Sequence, residues 1–168
     1  MFVTNSSVLI HLTKLSKIRF LREHAGNVLM PEAVHAEVVE SGIAQGYGDA
    51  GAIQNFEREG WMSVKPLRSK YKRLAQLLTS SLGEGEAEAI ALAKQARSRL
   101  LIDDDHARRI AGYYHVDTLT TLGVVLEIYL ADRITKQEYL SNVRRFSSQA
   151  WIGQDVVEEF VRRADKFA

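Results

Sequence analysis

Five acidic or amide side chains stand where a small domain rarely places them unless they share a cation. They are Asn5, Glu37, Glu86, Asp103 and Asp104, drawn from four segments well separated in the chain. Carboxylates are seldom fully buried unless they are paired or bind a cation. Gathered in one place they repel one another unless a positive charge sits among them. The economical ion is Mg²⁺ or Mn²⁺, and the chemistry that such ions usually serve is at phosphate.

The elements that would carry these groups alternate between short apolar runs and helical patterns. Strands are predicted at 2–4, 27–30, 61–64, 99–102 and 116–119. Leu9, Leu12, Leu15, Ile18 and Leu21 predict one first helix ended by Gly26. Pro31 opens another helix, and residues 42–51, with four glycines, read as a loop. The alternation predicts an α/β fold with a parallel sheet of four or five strands and helices on both faces. Thr135 and Glu138 form a capping-box pattern before a helix of about ten residues, and another amphipathic helix runs from 154 to 167. A single domain is expected over 1–168, with about 1–132 as core and about 133–168 as a helical appendage.

In open parallel sheets ligands bind at the carboxyl ends of strands. Asn5 and Asp103–Asp104 both follow a predicted strand. One aspartate suffices to cap the next helix, and Asp105 is assigned that role, which leaves Asp104 first and Asp103 second for the site. At 100° per residue Glu37 lies within about 60° of Ala33 and Val34, while Glu32 falls on the far side. Ser81 and Glu84 fit a capping box, which gives Glu84 a structural task. Glu86 is preferred over Glu88 as the carboxylate aimed at the strand ends.

Other chemistries find little support. The chain has no cysteine, which removes disulfides, thiolate zinc sites and cysteine nucleophiles and suits a reducing cytosol. Its five histidines form no metal-binding spacing, and His11 and His35 read as surface or satisfied core residues. The motifs of the serine elbow, the phosphate loop and the dinucleotide turn are missing. A receiver-type signalling domain would need a lysine after a late strand, where Thr120 and Thr121 stand. No apolar stretch suits a membrane span, and no signal peptide is read at the N-terminus, so a cytoplasmic protein is expected. The net charge is only +1, yet residues 65–73 hold five cations, a tyrosine and no acid. Lys65, Arg68, Lys70, Lys72 and Arg73 are either a solvated helix start or an arm for phosphates with one stacking ring.

Taken together the motifs resemble the PIN-domain family, in its prokaryotic branch whose first box has the form D-S-S-P-L-I-x-L. That box reads N-S-S-V-L-I-H-L at 5–12 here. The later boxes are LGEGEAEAIALA at 82–93 and LLIDDDHARR at 100–109, followed by TTLGVVL at 120–126 and a helical tail. The resemblance spans nearly the whole chain. It implies a three-layer α/β/α fold and a Mg²⁺- or Mn²⁺-dependent ribonuclease, often the toxin of a toxin–antitoxin pair. Single-stranded RNA, a small antitoxin protein and a second copy of the chain are the partners implied. The family's acidic set falls on Asn5, Glu37, Glu86 and Asp104, with Asp103 adjacent and Ser6 as the small polar neighbour of the first position. Two residues depart from the pattern: Asn5 replaces the family aspartate and Val8 the proline. Asparagine keeps a carbonyl ligand but removes one negative charge, which implies a weakened or inactive nuclease. The alternative is a catalytically silent domain that binds RNA or protein.

Overall fold

The computed structural model describes residues 1–150 and 152–166. Five strands form one all-parallel sheet: β1 (Phe2–Thr4), β2 (Val28–Met30), β3 (Met62–Val64), β4 (Arg99–Leu101) and β5 (Thr118–Leu119), in the order β3-β2-β1-β4-β5. The chain steps outward from β1 to β2 and β3, then returns to the other side of β1 for β4 and β5. The direction of winding therefore reverses between β1 and β4, where Thr4 pairs with Leu101. Right-handed crossovers place the connections before and after such a reversal on opposite faces, which gives the α/β/α layering.

One face, with Val3, Leu29 and Leu100, packs against α6 (Ser69–Leu78), α7 (Glu84–Ala96) and α8 (Asp105–Tyr113) through Ala75, Leu78, Ile90, Ala107 and Ala111. The other carries the intervening residues Phe2, Val28, Met30 and Leu101, all buried. Helices α1 (Ser6–Lys14), α2 (Arg19–Ala25) and α5 (Gly48–Arg58) belong to the β1–β2–β3 crossovers. The strands are apolar on both sides, as in a sheet covered by helices on both faces.

The expected first helix is two. Ser16 takes a left-handed φ of 57°. The N–H of Lys17 then reaches Leu12 O and that of Ser16 reaches Thr13 O, closing a Schellman turn after α1. Leu15 and Ile18 are still buried, so the apolar spacing survives the break. The expected loop at 42–51 is mostly helical. Helix α3 (Glu32–His35) runs through a π-wound turn, Ala36–Ser41, into α4 (Gly42–Ala44), and α5 starts at Gly48. Gly42 is there for space: a Cβ on it would meet the Ala50 Cβ at 2.7 Å. Gly→Ala inside a helix ordinarily stabilises by about 0.5–1 kcal/mol. Gly42→Ala is expected to reverse that sign and cost about 1–3 kcal/mol by overpacking, read as a lower denaturant midpoint.

The chain divides into two compact units, Met1–Leu119 and Thr120–Ala168. The second unit is helical: α9 (Thr121–Leu130), α10 (Lys136–Gln149) and α11 (Gln154–Lys166). Thr120 and Thr135 cap α9 and α10 through their hydroxyls. Helix α10 is longer than expected, and Phe167, the expected end of the last helix, lies outside the described residues. Tyr139 is fully buried, stacks on Tyr129 and donates to Phe160 O at 2.8 Å. Burial pushes its phenol from 10.0 up to about 12. Below pH 10 the group is neutral in both folded and unfolded chains and adds no slope. Between about pH 10 and 12 the unfolded chain releases a proton that the folded chain keeps, so stability should fall by roughly 2–3 kcal/mol. Chemical denaturation across that range should show the fall, and Tyr139→Phe should remove this contribution.

Candidate active site

A cleft of about 630 Å³ opens at the carboxyl edge of the sheet, lined by Asn5, Ser6, Ser7, Ala33, Ala36, Gly83, Gly85 and five glutamates: 32, 37, 84, 86 and 88. Among the described residues no cation lines it. Asn5 is the first residue beyond β1, at the reversal of winding where ligands of such sheets bind. Its backbone N–H donates to Leu101 O at 3.1 Å, tying it to β4. Its side-chain Oδ1 accepts from Val8 N at 3.2 Å as the N-cap of α1, and the residue is 3% exposed. Asn5 thus has a local reason to be asparagine or aspartate, both strong N-caps.

Ser6 donates its hydroxyl to Glu37 Oε2 at 2.6 Å, joining α1 to the π-wound turn across the cleft. Gly85 lies against the same pair: a Cβ there would come within 3.4 Å of Glu37 Oε2 and 3.9 Å of Ser6 Oγ. Glu32 also lines the cleft, against the expectation that it faces away. Glu32 is the first residue of α3, directly beyond Pro31 and the end of β2, so its place at the carboxyl edge follows from the strand end and not from the helix phase.

Glu86 is partly buried and sits at the third position of α7, where its carboxylate accepts from Gly83 N at 3.3 Å. The expected box of Ser81 and Glu84 does not form, because the helix begins later and Glu86 takes the capping place. Burial is the largest cause that raises the Glu86 carboxyl above its ordinary value; the Gly83 N–H opposes it, Asp104 and Glu37 add to the rise, and His106 lowers it. Glu88 accepts from Ala33 N at 3.0 Å and so satisfies the first turn of α3. The preference for Glu86 over Glu88 thus finds Glu88 already bound to the backbone of α3.

Asp104, not Asp105, caps α8, accepting from Ala107 N at 2.7 Å. Strand β4 ends at Leu101, so the chain turns early enough to bring Asp104 to the cap, while Asp105 is exposed and pairs with Arg108. Asp103 pairs through Oδ2 with His11 Nδ1 at 3.0 Å. Neither Asp103 nor Asp104 is in the cleft lining, although the charge of Asp104 reaches Glu86. His35 lies 3.4 Å from both Glu40 and Glu57. Within the acidic set Asn5 is deeply buried, Glu86 and Asp103 are partly buried, and Glu37 and Asp104 are exposed.

Of the basic run, Lys72 lines a narrower groove of about 190 Å³ that shares Glu32, Glu84 and Glu88 with the cleft. Lys65, Arg68, Lys70 and Arg73 are exposed and line neither space. Glu32, Glu84, Glu88 and Ser7 are cleft residues that sequence reasoning left out. Glu88 carried the usable signal, a third carboxylate near the start of an otherwise apolar helix.

The donors suit a hard cation: carboxylate and amide oxygens, with no sulfur. Among the described residues, no three His, Asp or Glu side chains gather closely enough to enclose an ion. A cation taken here would keep part of its water shell, as Mg²⁺ commonly does when one or two carboxylates hold it. A family model described as a PIN domain matches residues 1–166. A search of curated proteins returns no match.

Proposed function

Since the chain belongs to the PIN-domain family, we propose that its cleft is the site of a divalent-cation-dependent endoribonuclease acting on single-stranded RNA. The fold is of nuclease type, and PIN domains in general depend on divalent metals. The observation that carries the reading is the cleft at the β1–β4 reversal, lined by Asn5, Ser6 and five glutamates, with no cation among its described lining residues. Asn5, Glu86 and Asp104 are the proposed metal ligands, with Asp103 beside them and Glu37 held ready by Ser6. A bound Mg²⁺ or Mn²⁺ would supply an activated water and polarise the scissile phosphate.

The chain's own residues prepare that chemistry. Ser6 fixes the orientation of Glu37. The Gly83 N–H holds Glu86 at the helix start, and partial burial strengthens its pull on a cation. Gly85 keeps the wall open beside Glu37. Lys72 and the exposed cations of 65–73 are proposed to contact RNA phosphates outside the cleft. The toxin role, a small antitoxin and a homodimer belong to the same proposal; a small adjacent open reading frame and the mass in solution would test them. Among the described residues no helix is long and apolar enough to cross a membrane.

Calorimetric titration of the protein with Mn²⁺ tests the site. One bound ion is expected, with affinity reduced by Glu86→Gln. No binding heat to the protein or to its Asn5→Asp variant would leave a silent RNA- or protein-binding domain as the better reading.

A further inference from the structure

The charge of the first unit is sorted between the two edges of its sheet. At the amino edge, opposite the acidic cleft, lies a second cavity of about 380 Å³, lined by Tyr71, Ala93, Lys94, Arg97, Ser98, Arg99, His115, Val116 and Asp117. Three permanent cations and a histidine face one carboxylate there. In a protein whose net charge is only +1, this is a concentrated positive site.

The cavity is built by turns at two helix ends. Helix α7 ends as Arg97 takes a left-handed φ of 50°, and α8 is followed by His115 at a φ of 55°. Each turn feeds the next strand, β4 or β5, so both residues come to the same edge. Lys94 donates to Tyr114 O at 2.7 Å, which fixes its stem and leaves two of its three protons for a ligand. The Lys70 ammonium stands 5.8 Å from the centre of the Tyr71 ring, bringing a further cation to this end of α6.

Helix α6 links the two edges. Near its start Tyr71 lines the basic cavity, and further along Lys72, Ala75, Gln76 and Thr79 line the groove that shares three glutamates with the cleft. Ten residues of α-helix span about 15 Å. The two spaces share no lining residue, but Tyr71 of the cavity and Lys72 of the groove are chain neighbours on α6. An aromatic ring among cations is an arrangement that binds single-stranded nucleic acid: cations track phosphates and the ring stacks on an unpaired base.

We propose that this amino-edge cavity is a phosphate-binding subsite for single-stranded RNA. Lys94 and Arg97 hold the backbone, Tyr71 stacks on a base, and the strand runs along α6 toward the cleft. The subsite rests on the RNA reading of the protein but not on a metal, because its cations attract phosphate whether or not the acidic cleft holds an ion.

The test is fluorescence anisotropy with a labelled single-stranded 12-mer RNA in EDTA, over a range of salt. The variants are Lys94→Gln/Arg97→Gly and Tyr71→Leu. Glycine suits the left-handed position of Arg97, so removing that charge should not lower the melting temperature. The double variant should bind about tenfold or more weakly, and its log–log salt slope should be shallower by about 1.4, the loss of two phosphate contacts at about 0.7 each. Arg97→Lys should retain most of the binding. Tyr71→Leu should weaken binding without changing the slope. Unchanged affinity and slope in the double variant would overturn the subsite, as would equal binding of a duplex of the same sequence or of a nucleoside monophosphate. Because the assay contains no divalent metal, loss of Mn²⁺-dependent cleavage alone would refute the nuclease reading and leave this result standing.

Discussion

Asn5→Asp is expected to raise Mn²⁺-dependent cleavage of single-stranded RNA by on the order of 10–100-fold, the range by which changes around a metal commonly move affinity or activity. Two features make the experiment clean. Aspartate caps a helix as well as asparagine does, so the Oδ1 contact to Val8 N should persist and the fold with it. The substitution adds one full negative charge to a site that is buried at this residue and tied to β4 through Leu101 O. Cation affinity of oxygen sites follows ligand charge. A shift of the Mn²⁺ concentration giving half-maximal activity to lower values should accompany the gain. A rise in rate with no shift in metal dependence would point to a different cause.

Glu86→Gln in that restored background is expected to move activity and stability in opposite directions. Activity should fall by on the order of 100-fold or more, the scale on which one preorganised electrostatic group matters. Stability at pH 7 should rise. The carboxyl of Glu86 is raised above its ordinary value of 4.5, chiefly by burial, so the ionised form is disfavoured in the folded protein. The penalty is absent below the unfolded pKa, where both states are protonated. It grows as pH climbs past that value and is complete above the folded pKa. Glutamine carries no charge and can still accept from Gly83 N. The difference in melting temperature between the two proteins should therefore be clear at pH 7 and vanish at about pH 3. Loss of both activity and stability would instead make Glu86 a structural cap.

Much of this was legible in the sequence because it depends on local chemistry. Apolar triplets such as Leu100–Ile102, followed by polar residues, marked strand ends, and strand ends located Asn5 and the aspartates. The resemblance to PIN domains rested on boxes that cover the same ends. What escaped reading depends on winding and on distant pairing. Nothing in the residue types of 36–41 announces the π turn that carries Glu37, and an argument from helix phase alone missed Glu32, which lines the cleft from the first position of α3. Three consecutive aspartates offered three possible caps, and only the end of β4 at Leu101 selects Asp104. Leu15 and Ile18 kept helical spacing across a break made by the backbone of Ser16. The amino-edge cavity takes its three permanent cations from one short stretch, 94–99, but its tyrosine and its histidine from two others, so no single run of the sequence displays it.

The most direct measurement is a single RNA-cleavage assay with Mn²⁺ on three proteins: this chain, Asn5→Asp, and Asn5→Asp/Asp104→Asn. Slow cleavage or none is expected of the chain, a marked gain that EDTA abolishes in the single variant, and loss of that gain in the double variant. Equal turnover in all three, insensitive to EDTA, would contradict the metallonuclease reading.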